Sequence, residues 1–173
     1  DSRAEYVFAR PLKYGEAVKA IEELNVVQAN AKLNFSFRTS CHVHLNVLNC
    51  TENDLTNILY TYYLLENVLL RYCGEGRIGN RFCLRMSDAE DQMNNIVRHI
   101  VDGFAFSARL EGDRVRYAAL NMAAIGKYGS IEFRSMRGTM DPKVLLPWLR
   151  IIGSLKTFGM DHKSPVEIQH KFE

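Results

Sequence analysis

Two stretches of this chain alternate between greasy and polar or ionisable side chains, the first throughout and the second from Ser130 to Arg134, a period that fits a strand and no helix. One is CHVHLNV, residues 41–47, and the other is SIEFRSM, residues 130–136. Successive side chains of an extended strand point to opposite faces. His42, His44 and Asn46 therefore share one face of the first segment, with Cys41, Val43, Leu45 and Val47 on the other. Glu132 and Arg134 share one face of the second, opposite Ile131 and Phe133. If helices cover the apolar side of such a sheet, the other side carries imidazole, carboxylate and guanidinium groups together. Taken singly, H-x-H is more often a solvent-facing pair, and E-x-R a cross-strand ion pair. Their joint occurrence points to a site.

The helices that would cover the sheet have clear signals. Thr51 and Asp54 make a capping-box-like start to ENDLTNILYTYYLLENVLLRYC, where Leu55, Ile58, Leu59, Tyr62, Leu65, Leu69 and Cys73 form an apolar stripe. Asp141 followed by Pro142 predicts another helix running through Trp148, Ile151, Ile152 and Leu155, with Pro147 kinking it or delaying its start. YGEAVKAIEELNVVQAN places Val18, Ile21, Leu24 and Val27 at helical spacing, and Ser87 with Glu90 opens a helix carrying Met93, Ile96, Val97, Ile100 and Val101 up to Gly103. EYVFARPL, FAFSARLEGD and VRYAALNM read as further strands, with Gly112-Asp113 and Gly126–Gly129 as turns. The expectation is an α+β fold, a largely antiparallel sheet with helices packed on one face.

Composition sets the class. The chain has 173 residues, 47% hydrophobic and 24% charged, and a formal net charge of +2. That suits a single domain over residues 1–173, and so small a charge gives no reason to expect nucleic acid or a membrane surface as partner. No apolar run is long enough to span a bilayer, and four cysteines without a C-x-x-C spacing read as reduced thiols, so a soluble cytoplasmic protein is expected. Neutral imidazole and carboxylate ligate divalent cations, whereas guanidinium pairs with phosphate and stays protonated. A metal–phosphate complex therefore suits the His, Glu and Arg face better than a proton relay alone. There is no G-x-S-x-G, Walker A loop or G-x-G-x-x-G, so the sheet itself would have to hold any nucleotide.

CHVHLNV, RIGNRFC at 77–83, RYAALN at 116–121 and SIEFRSMRGT at 130–139 occur in the order seen in the amidoligase family, which the chain resembles over nearly its whole length. EYVFARPL is similar to the family's second conserved strand, and PWLRII to its terminal tryptophan-bearing helix. This family belongs to the glutamine synthetase-like carboxylate–amine ligases. The resemblance implies a curved sheet of that type and ATP- and magnesium-dependent amide formation through an acyl phosphate. The substrates would be a carboxylate and an amine of the amino-acid or peptide class. By the same resemblance His42, Glu132 and Glu5 would ligate metal, and His44 would lie near the phosphates. Arg134 would neutralise the transferred phosphoryl group, and Arg77 and Arg81 would hold nucleotide phosphate.

The family's first strand carries an E-x-E pair, which nothing before Glu5 supplies. The expectation is a chain that starts downstream of that strand. The alternative is a catalytically degenerate ligase fold serving as a binding or assembly module. A double-stranded β-helix metal protein also uses H-x-H, but Glu52 begins the next helix instead of completing such a site. Glu66, on the apolar stripe of its helix, needs a partner such as Arg81. Arg116 would face the site or solvent, and Asn121 the opposite side of its strand. His99, His162 and His170 read as surface or helix-end residues, and Arg137 as the start of a plain turn.

Overall fold

The two alternating segments are neighbours in one antiparallel sheet. The structure, a computed structural model, describes residues 5–31, 35–36, 38–88 and 117–173. Along the chain come α1 (Tyr14–Asn30), β1 (Ser40–Asn46), α2 (Glu52–Cys73), β2 (Leu120–Asn121), α3 (Ala124–Tyr128), β3 (Ser130–Arg137), α4 (Pro142–Met160) and α5 (Pro165–Gln169). Single 3-10 turns lie at Glu75–Arg77 and Met86–Asp88. Among the described residues the sheet has three strands in the order β1-β3-β2, and Leu84 adds one parallel bridge to Ala118.

Register fixes which side chains meet. Val43 lies opposite Phe133, His44 opposite Glu132 and Leu45 opposite Ile131. Between Cys41 and Val43 the register shifts, so that His42 faces both Arg134 and Ser135. Such a bulge bends its strand and re-aims the side chains beside it.

The apolar face is covered by α2 and α4. Phe133 packs edge-on against Tyr62 of α2 and Trp148 of α4, at centroid distances of 5.9 and 6.1 Å. Ile58, Leu59, Ile131, Met136 and Ile152 complete a core from which water is excluded. The two helices meet closely at Gly159, where an added Cβ would lie 2.6 Å from Ile58 Cγ1. The polar face of β1 and β3 is turned away from this core.

Sequence signals and structure agree on both long helices. Thr51 Oγ1 accepts from Asp54 N at 3.2 Å, and Asp54 Oδ2 accepts from Thr51 N at 2.7 Å. Asp141 Oδ1 accepts from Lys143 N, and α4 starts at Pro142 and carries Pro147 inside it. Three expectations need correction. EYVFARPL forms no strand: residues 5–13 lie in irregular backbone, with Tyr6 and Val7 about two-thirds or more exposed. Alternation alone makes a strand only where a sheet edge receives it. On α1 only Ile21 is buried, and Val27 points to solvent. The Gly126–Gly129 stretch is a short helix that Gly129 ends at φ 62°. The helix begun by Ser87 and Glu90, beyond Asp88, the strand FAFSARLEGD, the turn at Gly112-Asp113 and the first two residues of VRYAALNM lie outside the described residues. Among the described residues no helix is long and apolar enough to cross a membrane.

Candidate functional site

Glu132 is the hub of the polar face. It sits on the central strand, with His44 of β1 opposite on one side and Asn121 of β2 opposite on the other. The residue is only 6% exposed, and a carboxylate so buried is costly unless it is met by donors. Four side chains surround it. Arg134 Nη1 donates to Oε1 at 2.7 Å, and His42 Nδ1 lies 3.1 Å from the same oxygen. Asn121 Nδ2 donates to Oε2 at 2.6 Å. His44 Nε2 stands 3.8 Å from Oε1, within ion-pair range but beyond a hydrogen bond.

Burial by itself would raise the carboxyl's pKa. Hydrogen bonds from His42 and Asn121, with the charges of Arg134 and His42, outweigh burial and hold it at about 2. Glu132 is thus a fixed negative charge.

The partners are themselves positioned. Asn121 Oδ1 accepts from Ala123 N at 3.0 Å, which turns the amide NH2 toward the carboxylate. His42 Nε2 lies 2.8 Å from Ser40 Oγ, so both of its ring nitrogens are engaged. His44 Nδ1 lies 3.0 Å from Ser130 Oγ, and its ring stands edge-on to Tyr128. The Nε of Arg134 is buried and has no acceptor among the described residues. A buried, unpaired guanidinium N–H is uncommon and invites an anion.

The structure therefore brings together His42, His44, Glu132 and Arg134, four of the residues named from sequence, and adds Asn121, Ser40 and Ser130. Asn121 was expected on the far side of its strand; the direct pairing with Glu132 places it on the site face instead. Arg77, Arg81 and Glu5 are placed elsewhere. Arg77 is 2% exposed, donating from Nε to Ser135 O and from Nη2 to Arg134 O, a brace on the bulged part of β3. The Arg81 guanidinium lies over the half-buried ring of Phe82 at 5.0 Å, and Glu5 lies exposed in the irregular segment before α1. Glu66 is met by the backbone N–H of Met86, at 2.8 and 3.0 Å from its two oxygens. Arg137 Nη1 donates to the Tyr72 and Cys73 carbonyls and so caps the C-terminus of α2. His162 Nδ1 lies 2.7 Å from Phe158 O, and His170 ends α5. Arg116 and His99 fall outside the described residues.

A cation caged by protein ligands does not fit this arrangement. Among the described residues no group of three or more His, Cys, Asp or Glu side chains is disposed to hold a metal ion. His42, moreover, has no ring nitrogen left over. Magnesium carried by nucleotide phosphates asks less, since it keeps waters and needs only one or two protein carboxylates. Glu132 is the carboxylate on this face that would fit that role.

No protein-family model, no curated protein and no solved structure matches the chain.

Proposed function

We propose that this chain is an ATP-dependent carboxylate–amine ligase of the glutamine synthetase-like type, working in the cytoplasm. The observation that carries the reading is the convergence of His42, His44 and Arg134 on one permanently ionised carboxylate, on the sheet face turned away from the helices. A second support is the buried Arg134 Nε, which has no acceptor among the described residues.

In this reading the substrate carboxylate attacks the γ-phosphorus of ATP and ADP leaves. The amine then attacks the acyl phosphate and phosphate leaves. Arg134 is the residue that neutralises charge on the moving phosphoryl group. Glu132 holds its guanidinium in one orientation, so no reorganisation is needed as the charge develops. A guanidinium in that role is worth about 10³–10⁵-fold in turnover. His44 is the more exposed histidine, its side chain 43% accessible beside the carboxylate. In this reading it takes the proton that the amine loses. Magnesium, when bound with ATP, would neutralise phosphate charge, with Glu132 as its protein carboxylate. Arg77 enters this reading as a brace for β3 and not as a phosphate ligand.

The absence of a three-ligand metal group among the described residues favours a second reading, a degenerate ligase fold that binds nucleotide without turnover. One experiment separates the two. The full-length protein is supplied with ATP, magnesium and pools of amino acids and dipeptides, and ADP and phosphate release is followed. The ligase reading predicts release that depends on both a carboxylate and an amine, falling about 10³-fold in Arg134→Ala. ATP binding with no release under any pairing would establish the degenerate module.

A further inference from the structure

We propose that Ser40 is an acyl-accepting nucleophile, activated by His42 and oriented through Glu132, which reacts with small activated acyl esters. Ser40 Oγ lies 2.8 Å from His42 Nε2, and His42 Nδ1 lies 3.1 Å from Glu132 Oε1. Hydroxyl, imidazole and carboxylate are thus linked in sequence through the two nitrogens of a single ring. That is the connectivity by which a base takes a proton from a serine while a carboxylate steadies the imidazolium. No sequence motif announces it, because the serine and the histidine are two residues apart on one strand.

The direction of the hydrogen bonds follows from the chemistry of the groups. An ionised carboxylate only accepts, and in the proposed arrangement the ring carries its hydrogen on Nδ1, 3.1 Å from Glu132 Oε1. The lone pair of Nε2 then faces Ser40, and the hydroxyl must donate to it. Arg134 and Asn121 hold the carboxylate from the other sides, which fixes the ring plane. The hydroxyl is not buried for structural reasons: Ser40 opens β1 and is half-buried, and the His42 side chain is 27% exposed. Ser130 provides an internal contrast. It also touches a histidine, but it is 5% exposed, and that histidine stands 3.8 Å from the carboxylate. Of these two serines, Ser40 is the one that combines a neighbouring base with access.

The step balances without a further reagent. Ser40 Oγ bonds to the acyl carbon, its proton passes to His42 Nε2, and the bond to the leaving alcohol breaks as that alcohol takes the proton. Water then attacks the acyl-serine, giving its proton to the same nitrogen, and the acid is released as Ser40 recovers its hydrogen. None of this uses ATP, so the proposal stands or falls separately from the ligase reading.

The test treats the full chain, without ATP or magnesium, with a fluorophosphonate probe and with p-nitrophenyl acetate. The expected result is one phosphonyl adduct per chain, mapped to the Ser40 peptide, and nitrophenol release that begins with a burst of one equivalent. Ser40→Ala should abolish adduct and burst. His42→Ala should slow labelling by about 100-fold or more, the scale of a positioned general base. Circular dichroism of both variants separates loss of reactivity from loss of fold. If the His42 variant is unfolded, His42→Gln takes its place. An adduct on another residue, no adduct, or equal labelling rates with and without His42 would overturn the proposal. ATP binding is measured in parallel, so failure of one reading does not count against the other.

Discussion

Glu132 holds its charge because its donors together outweigh the effect of burial. Its carboxyl sits at about 2 against an ordinary value of 4.5. A depressed carboxylate stabilises the fold above its unfolded pKa, and that contribution is lost as pH falls through the folded one. Stability should therefore fall between about pH 5 and pH 2, by roughly 1–2 kcal/mol once screening by nearby water is allowed for. Urea unfolding across that range measures it. Glu132→Gln should flatten this acid limb and, at neutral pH, cost about 2–3 kcal/mol because Arg134 loses its counter-charge. An unchanged acid limb in the variant would mean that other carboxylates carry it. At this scale the period of two made His42, His44, Glu132 and Arg134 legible, since alternation determines the face once the strands form. Asn121 was not legible. Its face depends on which residue it meets across a two-residue strand, a matter of register that no local pattern records. Arg77 was misplaced for a similar reason: it lies on a 3-10 turn, where no periodicity says inside or outside.

The elements are held by signals of unequal clarity. The capping box at Thr51 could be read from two residues three apart, and it forms as expected. Thr51→Ala should lower stability by about 1 kcal/mol, seen as a lower urea midpoint with an unchanged slope. Gly129 is the sharper case. It adopts φ 62°, and an added Cβ would meet the side chain of Leu48, which is largely exposed and can turn aside. Gly129→Val therefore forces a disfavoured backbone immediately before β3. A loss of roughly 1–3 kcal/mol is expected in urea unfolding, and an unchanged stability would contradict that strain. EYVFARPL shows the opposite limit, where a strand-like pattern meets no described edge and stays irregular. The bulge opposite His42 was likewise invisible, because it appears only when β1 and β3 are paired residue by residue.

At the scale of the molecule, the α+β arrangement does one thing for function. With α2 and α4 packed on the Phe133 side, one face of the sheet is left to hold polar groups together. That separation was legible from composition along two strands and from two helical stripes. The three-strand order was not, because pairing between distant segments leaves no local trace. The central claim is that this face binds phosphate through Arg134. Calorimetric titration of ATP with magnesium into the full chain, into Arg134→Ala, and into Arg10→Ala tests it directly, since Arg10 pairs with Glu16 far along the chain from the site. The account predicts saturable binding that weakens about tenfold or more in Arg134→Ala and is unchanged in Arg10→Ala. No heat of binding, or equal affinity in all three proteins, would contradict it.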